Sequence, residues 1–559
     1  MKAQYRFLSV FLLPLLLWGC SSSSSSSSPS PLTVTISIRT SDAREPLSTI
    51  EPPQEILLEF SQPLDTATID ENVSLQVVKT GGALASADPP VEVVSDDQMP
   101  NRVIIRTKNG SKLLAGEEYR LVVASGIRSI GGAAMEQDYV RYFATDYDLL
   151  SQGVGALADN RTITIVISDV HLGDQRSIDK KYGWFNKHSA TLVNFLNHLR
   201  QRPDVKELVI AGDLFDEWVA PVEYDTFDGA TQSGFVDAIT AANGPVIDAF
   251  NGIIQEGSIK VTYVPGNHDM LAESSDIQRI FPGISQARDV KGLGAYAPSD
   301  RPELVIEHGH RYDFFNAPDP ISNRSITGTA SILPPGFFVS KIAATSDLER
   351  RQASYYRDSL NRGYTTRESY HYFSYWAAWR LIMTQKPVKE SWDEKMIATA
   401  VDGYTAMYSI YDLIPHHEPG GDPLDVTLYK GIMDTWNQRQ AINKVSVPIP
   451  ADAAIAAGAL NPLLDEEAIT QYFWNISSSK RIVVFGHTHH ADLFSILNHR
   501  GQESIYANSG TWVDNNDLSC TFVAIFPKKD NGATTDTVTV YQYVDDETIR
   551  KIKSAAIRN

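Results

Sequence analysis

Five short clusters concentrate carboxylate, imidazole and carboxamide groups in chain order: Asp169-Val170-His171, Gly212-Asp213, Gly266-Asn267-His268-Asp269, His308-Gly309-His310 and Gly486-His487-Thr488-His489. One such cluster alone signifies little, because Gly-Asp after a strand is often a plain turn and a buried histidine is often a satisfied core residue. Five in succession, each behind an apolar β-branched run, read as a single constellation. Carboxylate, imidazole and amide oxygen together suit manganese, iron, zinc and related divalent ions. Two such ions held close together repel, so a carboxylate shared between them stabilises the pair. Glycines beside the ligands let the backbone turn sharply enough to bring them together.

The elements that must position these groups are legible upstream of each cluster. Residues 162–167, 207–211, 260–264, 303–307 and 481–485 are compact runs rich in valine, isoleucine and leucine, separated by helical stretches. Strands alternating with helices predict an α/β domain, and ligand sites in such sheets gather at the carboxyl ends of the strands. All five clusters stand at such ends, so the topology can bring them to one place.

In this order the clusters resemble the signature of the calcineurin-like metallophosphoesterase family, and the resemblance covers residues 161–545 apart from a large insertion. It implies an α/β (α+β) fold, a two-sheet β-sandwich flanked by helices with a helical cap inserted at about 315–478. Matched residue by residue, it implies that Asp169, His171, Asp213 and His489 hold one metal. Asp213, Asn267, His308 and His487 would hold the other, with Asp213 as the bridge. Manganese is the expected cofactor pair, with iron, zinc, cobalt or nickel as alternatives. The implied reaction is hydrolysis of a phosphate ester, monoester or diester, by in-line attack of a metal-bridging hydroxide. His268 matches the outer histidine that stabilises the transition state or protonates the leaving oxygen, and Asp269 is expected to orient it.

Neighbouring residues carry two readings each. His310 and His490 flank the site as outer contacts or as surface groups. Asp216 and Trp218 either shape the pocket or serve the loop. Residues 508–512 resemble the turn that closes the second sheet of this family and read as structural. Between His308 and His487 lie 178 residues, far more than a connection needs. Residues 340–361 and 368–385 are expected to be helical, with Tyr372, Tyr375, Trp376 and Trp379 at helical spacing. That stripe either packs a cap onto the core or, with Arg357, Arg367 or Arg380, lines a substrate pocket.

Ahead of the α/β region, residues 32–147 show short alternating runs divided by turn signals, for example 55–60 and 119–123, which predicts an all-β sandwich. Glu59 to Asp65, Leu114 to Tyr119 and Tyr142 to Thr145 resemble the bacterial Ig-like domains of surface-layer and cell-surface proteins. That resemblance implies a spacer or a module for cell-surface contacts.

The chain opens with Lys2 and Arg6, an apolar stretch too short to span a bilayer, and Leu17-Trp18-Gly19-Cys20. The last four resemble a bacterial lipobox, which implies a signal peptide over 1–19, lipid on Cys20 and anchoring in the bacterial cell envelope. An ordinary cleaved signal peptide followed by a chance cysteine is the other reading. Residues 20–31, mostly serine, would form a flexible tether. Losing Lys2 and Arg6 takes the formal charge from −19 to −21. Cys520 is the one further cysteine, so a lipidated Cys20 leaves no intramolecular disulfide. So acidic a chain lacks the broad basic face of a nucleic-acid binder. The rival to a phosphoesterase is a catalytically silent adhesion or envelope lipoprotein on the same fold.

Overall fold

The computed structural model describes residues 30–78, 84–86, 91–145, 161–328, 331–349, 370–386, 395, 397–416, 425–459, 462–514, 516–527, 535–545 and 548–558. The expected signal peptide, Cys20, Arg357 and Arg367 lie outside them. Among the described residues no helix is long and apolar enough to cross a membrane.

The N-terminal β region holds β1 (Val34–Ile36), β2 (Thr49–Ile50), β3 (Glu55–Phe60), β4 (Val73–Val78), β5 (Leu84–Ser86), β6 (Val91–Ser95), β7 (Arg102–Thr107), β8 (Glu118–Val123) and β9 (Tyr139–Thr145). They build a four-stranded sheet, β1-β3-β7-β6, and a five-stranded sheet, β2-β9-β8-β4-β5. Period-two alternation decides which faces meet. In β3, Ile56, Leu58 and Phe60 are buried while Glu55 and Glu59 face solvent. The buried set shares one core with Val103 and Ile105 of the same sheet and with Leu75, Tyr119 and Leu121 of the other.

The second region opens with β10 (Ile163–Ile167), β11 (Val205–Ala211), β12 (Lys260–Val264), β13 (Ser285–Gln286), β14 (Ala295–Tyr296) and β15 (Leu304–Glu307). An insertion carrying the antiparallel pair β16 (Ile397–Ala398) and β17 (Met407–Tyr408) follows. The chain then adds β18 (Ile482–Phe485), β19 (Asp492–Leu497), β20 (Glu503–Asn508), β21 (Thr521–Phe526), β22 (Thr535–Asp545) and β23 (Thr548–Arg558). Two sheets result, β13-β12-β11-β10-β21-β22-β23 and β14-β15-β18-β20-β19. Within the first, β10 to β13 run parallel, and within the second so do β15, β18 and β20.

These strands read as largely apolar runs because both faces are covered. Val166, Val209, Ile306, Val484, Ile505 and Val523 fill the space between the sheets. Ile165 and Leu208 point the other way, onto helices Ser189–Arg200 and Gly244–Glu256 through Phe195, Leu199 and Phe250. Burying one such side chain contributes about 1.5–3 kcal/mol, so the strands that carry the polar clusters are among the most firmly held parts of the fold.

The insertion supplies helices Pro335–Glu349, Phe373–Gln385, Ile432–Ile442 and Ala451–Ala459. The expected aromatic stripe is mainly core: Tyr372, Tyr375 and Trp379 are buried, and the Tyr375 ring stacks 5.8 Å from Phe315. Trp376 is half-exposed beneath the Arg380 guanidinium, 5.5 Å away on the surface. The N-terminal sandwich is docked on the far edge of the second region. Arg558 donates to Glu118 at 2.7 Å and to Glu503 at 2.6 Å, and the Leu47 amide donates to Glu503 at 2.9 Å.

Candidate metal centre

Each polar cluster sits on the turn that leaves a parallel strand at its carboxyl end: Asp169 and His171 after β10, Asp213 after β11, Asn267 and His268 after β12, His308 after β15, His487 and His489 after β18. Short backbone bonds lash these turns together, including His171 N to Asp213 O at 2.9 Å and Gly486 N to His308 O at 3.1 Å. The turns are tight enough to force left-handed backbone. Eleven described non-glycine residues have positive φ, and five are Asp169 (54°), His171 (57°), Asp213 (52°), His487 (71°) and His489 (58°). Such conformations cost free energy and persist where the surroundings impose them, characteristically at functional sites. Gly212, at φ 89°, is required outright: a Cβ there would meet His308 Nδ1 at 2.5 Å.

The side chains converge in three groups, Asp169 with His171 and His489, His171 with Asp213 and His268, and Asp213 with His308 and His487, the donor atoms in each within 4.8 Å of one another. The second shares His171 with the first and Asp213 with the third, and so joins the outer two. Asp213 Oδ2 stands between them, 3.6 Å from His171 Nε2 and 3.2 Å from His308 Nε2. Asn267 Oδ1 is 3.0 Å from His308 Nε2. Two imidazole nitrogens, His171 Nε2 and His489 Nε2, face each other at 3.1 Å, with Asp169 Oδ1 3.2 Å from the latter. Donors sharing one cation at about 2.0–2.2 Å can lie no more than about 4.4 Å apart, and these pairs, at 3.0 to 3.6 Å, meet that limit. The donor set therefore fits divalent ions, with Asp213 placed to serve both.

Outer contacts fix which ring nitrogen is offered. His308 Nδ1 donates to the Ala211 carbonyl at 2.8 Å, leaving Nε2 free. His487 Nε2 donates to Asp313 at 3.0 Å, leaving Nδ1. His171 Nδ1 lies 3.3 Å from Asp216 Oδ2. Anchoring of this kind orients ligands and sets their tautomers. The electrostatics match a site built for cations. Burial works against charge on Asp213, but the imidazoles of His308, His268 and His171 hold its carboxyl well below the usual range. Burial also opposes charge on His171 and His308, yet the surrounding carboxylates lift them to about 10 and about 9. Protons thus compete for the places that divalent ions would take.

One expectation is corrected. Asp269 does not touch the His268 ring; its Oδ1 accepts from Gly266 N at 2.7 Å and its Oδ2 from Leu214 N at 2.8 Å. It ties the turn after β12 to the turn after β11, and burial beside Asp213 lifts its carboxyl to about 6. The His268 ring is oriented by Asp216, whose Oδ1 accepts from Nδ1 at 2.9 Å, and Trp218 packs 4.8 Å away. Of its two readings, His310 takes the buried one, with Nε2 donating to the Gly292 carbonyl, while His490 is on the surface. Residues 508–512 brace the ligand turns: Asn508 donates to the Gly486 carbonyl at 2.8 Å, and Thr511 to the Asp169 carbonyl at 3.0 Å.

Three participants carried no signal in the sequence. Asp313 anchors His487 from the chain beyond β15. Asp465, lifted to about 6 by burial, accepts from Tyr506, Asn508 and Thr488 behind the His487 turn. Trp184 lies 4.9 Å from the His171 ring and 5.2 Å from His268. Each is a lone residue in an unremarkable stretch, brought in only by tertiary folding. A cleft of about 490 Å³ opens over the centre, with Asp213, Asn267, His268, His487 and His489 at its floor and insertion helices forming its opposite wall.

No curated protein matches the chain. Similarity to solved structures covers limited spans at low scores. The S-layer protein rSbsC is 17% identical over 21% of this chain and 16% of its own, with a TM-score of 0.14. A native alpha-2-macroglobulin from Escherichia coli is 12% identical over 26% of this chain and 38% of its own, with a TM-score of 0.15. CopC from Methylosinus trichosporium OB3b is 16% identical over 20% of this chain and 96% of its own, with a TM-score of 0.14. The chain thus spans well under half the length of the first two. Residues 164–357 match the family model for calcineurin-like phosphoesterases, a span that includes Asp169 through His308 and stops short of His487 and His489.

Proposed function

We propose that this chain is a metal-dependent phosphoesterase with a dinuclear centre, exported and held in the cell envelope by lipid on Cys20. The observation that carries the catalytic part is Asp213 Oδ2, set 3.6 Å from His171 Nε2 and 3.2 Å from His308 Nε2 between two converging donor groups. The family match at 164–357 supports the same reading.

Asp169, His171, Asp213 and His489 would hold one ion, and Asp213, Asn267, His308 and His487 the other. Divalent ions at those positions would supply Lewis acidity and neutralise charge on the phosphoryl oxygens. Manganese leads, with iron, zinc, cobalt or nickel as alternatives. His268 commits Nδ1 to Asp216, which leaves Nε2 to donate toward the phosphoryl group or the departing oxygen. In hydrolysis, water oxygen bonds to phosphorus as the bond to the alcohol oxygen breaks, and that oxygen takes the proton. Asp216 keeps the imidazole aimed through this change, and the rings of Trp184 and Trp218 pack against it.

The N-terminal β region would act as an Ig-like spacer or cell-surface contact module. The decisive assay strips the protein of metal, reloads it with manganese, iron or zinc, measures metal content, and offers generic phosphate mono- and diesters. Turnover that tracks metal loading is expected. A fully loaded protein that turns over no ester with any metal would favour the silent envelope-protein reading instead.

A further inference from the structure

The cleft has two unlike walls. Its floor is the donor set, and its roof comes from three insertion helices through apolar Val339, Leu381, Ile382 and Ala459, with uncharged Ser340 and Gln385 beside them. Leu381 is 37% exposed although large and apolar, and among the exposed large hydrophobics of the described residues it is the one that lines the cleft. The roof is fixed at close range. Gly458 lies against Asp313, where a Cβ would meet Oδ1 at 2.6 Å, and Asp313 is the residue that anchors His487. A roof gripping the ligand turns in this way is a wall of the site.

Among the described lining residues there is no lysine or arginine, and Arg380, on the helix that carries Leu381, stands on the surface over Trp376. Asp213 and Asp313 contribute negative charge to the lining. Among the described lining residues a second anionic group on a substrate would find no lysine or arginine to pair with. An uncharged organic group leaving the phosphorus would find apolar surface to cover, and covering it is favourable.

We infer that this site selects phosphate esters whose alcohol part is an uncharged alkyl or aryl group seated against Leu381, Ile382, Val339 and Ala459. This rests on the phosphoesterase reading above.

The test uses the full, metal-loaded chain with inorganic phosphate, n-alkylphosphonates from methyl to hexyl, and carboxyl-ended phosphonates of matched length, with dissociation constants from calorimetry. Affinity should rise about threefold to fourfold per methylene over the first few, the factor for burying one CH₂. Carboxyl-ended ligands should bind at least tenfold more weakly than methyl-ended ones. Leu381→Ser with Ile382→Ser should flatten the chain-length dependence, and Leu381→Lys should favour the carboxyl-ended series. Phosphate binding with a flat chain-length profile, or with carboxyl-ended ligands preferred in the unaltered protein, overturns the inference alone. Failure to bind phosphate or any phosphonate, with no ester hydrolysed, overturns the underlying reading instead.

Discussion

Replacing Asp216 with asparagine separates the observed architecture of the centre from the expected one. Asp216 Oδ1 accepts from His268 Nδ1 at 2.9 Å and from the Val219 amide at 3.0 Å, while Oδ2 lies 3.3 Å from His171 Nδ1. If asparagine keeps its oxygen toward His268, its NH₂ faces His171 Nδ1. That nitrogen must then accept, which places the ring proton on Nε2, the atom needed for a metal. If the amide turns over, His268 loses its acceptor. Either way the carboxylate's charge and one of its contacts with an imidazole are lost, an effect on the order of 1.5–3 kcal/mol. At 1.36 kcal/mol per tenfold, turnover falls about 10- to 150-fold. Metal affinity falls about 10- to 100-fold, as it does when an outer partner of a ligand is removed. Steady-state kinetics at saturating manganese, beside metal content after dialysis, would read both effects. Asp269→Asn is the control: it deprives one backbone amide of its acceptor, lowering stability by about 1–3 kcal/mol, and leaves the His268 contacts intact. A D216N enzyme within twofold of wild type in kcat and metal content, or a folded D269N enzyme that is the slower of the two, would refute the assignment of Asp216 as the orienting group.

Asp213→Asn should lower activity by several orders of magnitude and reduce bound metal per chain, read by elemental analysis, because one carboxylate serves both donor groups. Labelling with palmitate should be abolished by Cys20→Ser; incorporation that survives the substitution would remove the anchor. Arg558→Ala leaves Glu118 and Glu503 buried without their cation and should destabilise the protein by about 3 kcal/mol in denaturant unfolding. Lys341 is fully buried, its Nζ donating to the Tyr224 carbonyl at 2.7 Å, and burial brings its ammonium from 10.5 down to about 7. A lowered lysine pKa means the unfolded chain binds the extra proton, so stability is lost as pH falls from 10.5 toward 7. The unfolding free energy of wild type relative to Lys341→Met should therefore rise with pH across that window and be level below it; an unchanging difference would contradict the burial of the charge.

The candidate ligands were legible in the sequence because each had two coupled local signals: a polar cluster, and a strand-like run just before it. The parallel arrangement of β10 to β12 and of β15 with β18 then brings five strand ends to one place, which is a consequence of topology that a one-dimensional pattern can anticipate. The aromatic stripe at 372–379 was legible only as an alternative, since helical spacing is the same whether a ring packs on Phe315 or faces a cleft. Roles that depend on which atom meets which were beyond the sequence. Asp216 and Asp269 are both acids adjoining glycine-rich ligand turns, and only the fold shows that one holds the His268 ring while the other holds backbone amides. Asp313, Asp465 and Trp184 reach the centre from separate segments, with no motif to mark them. Types and spacing along the chain determined which groups could bind metal; long-range packing decided how those groups are aimed, because the direction of a side chain is set by neighbours distant in sequence.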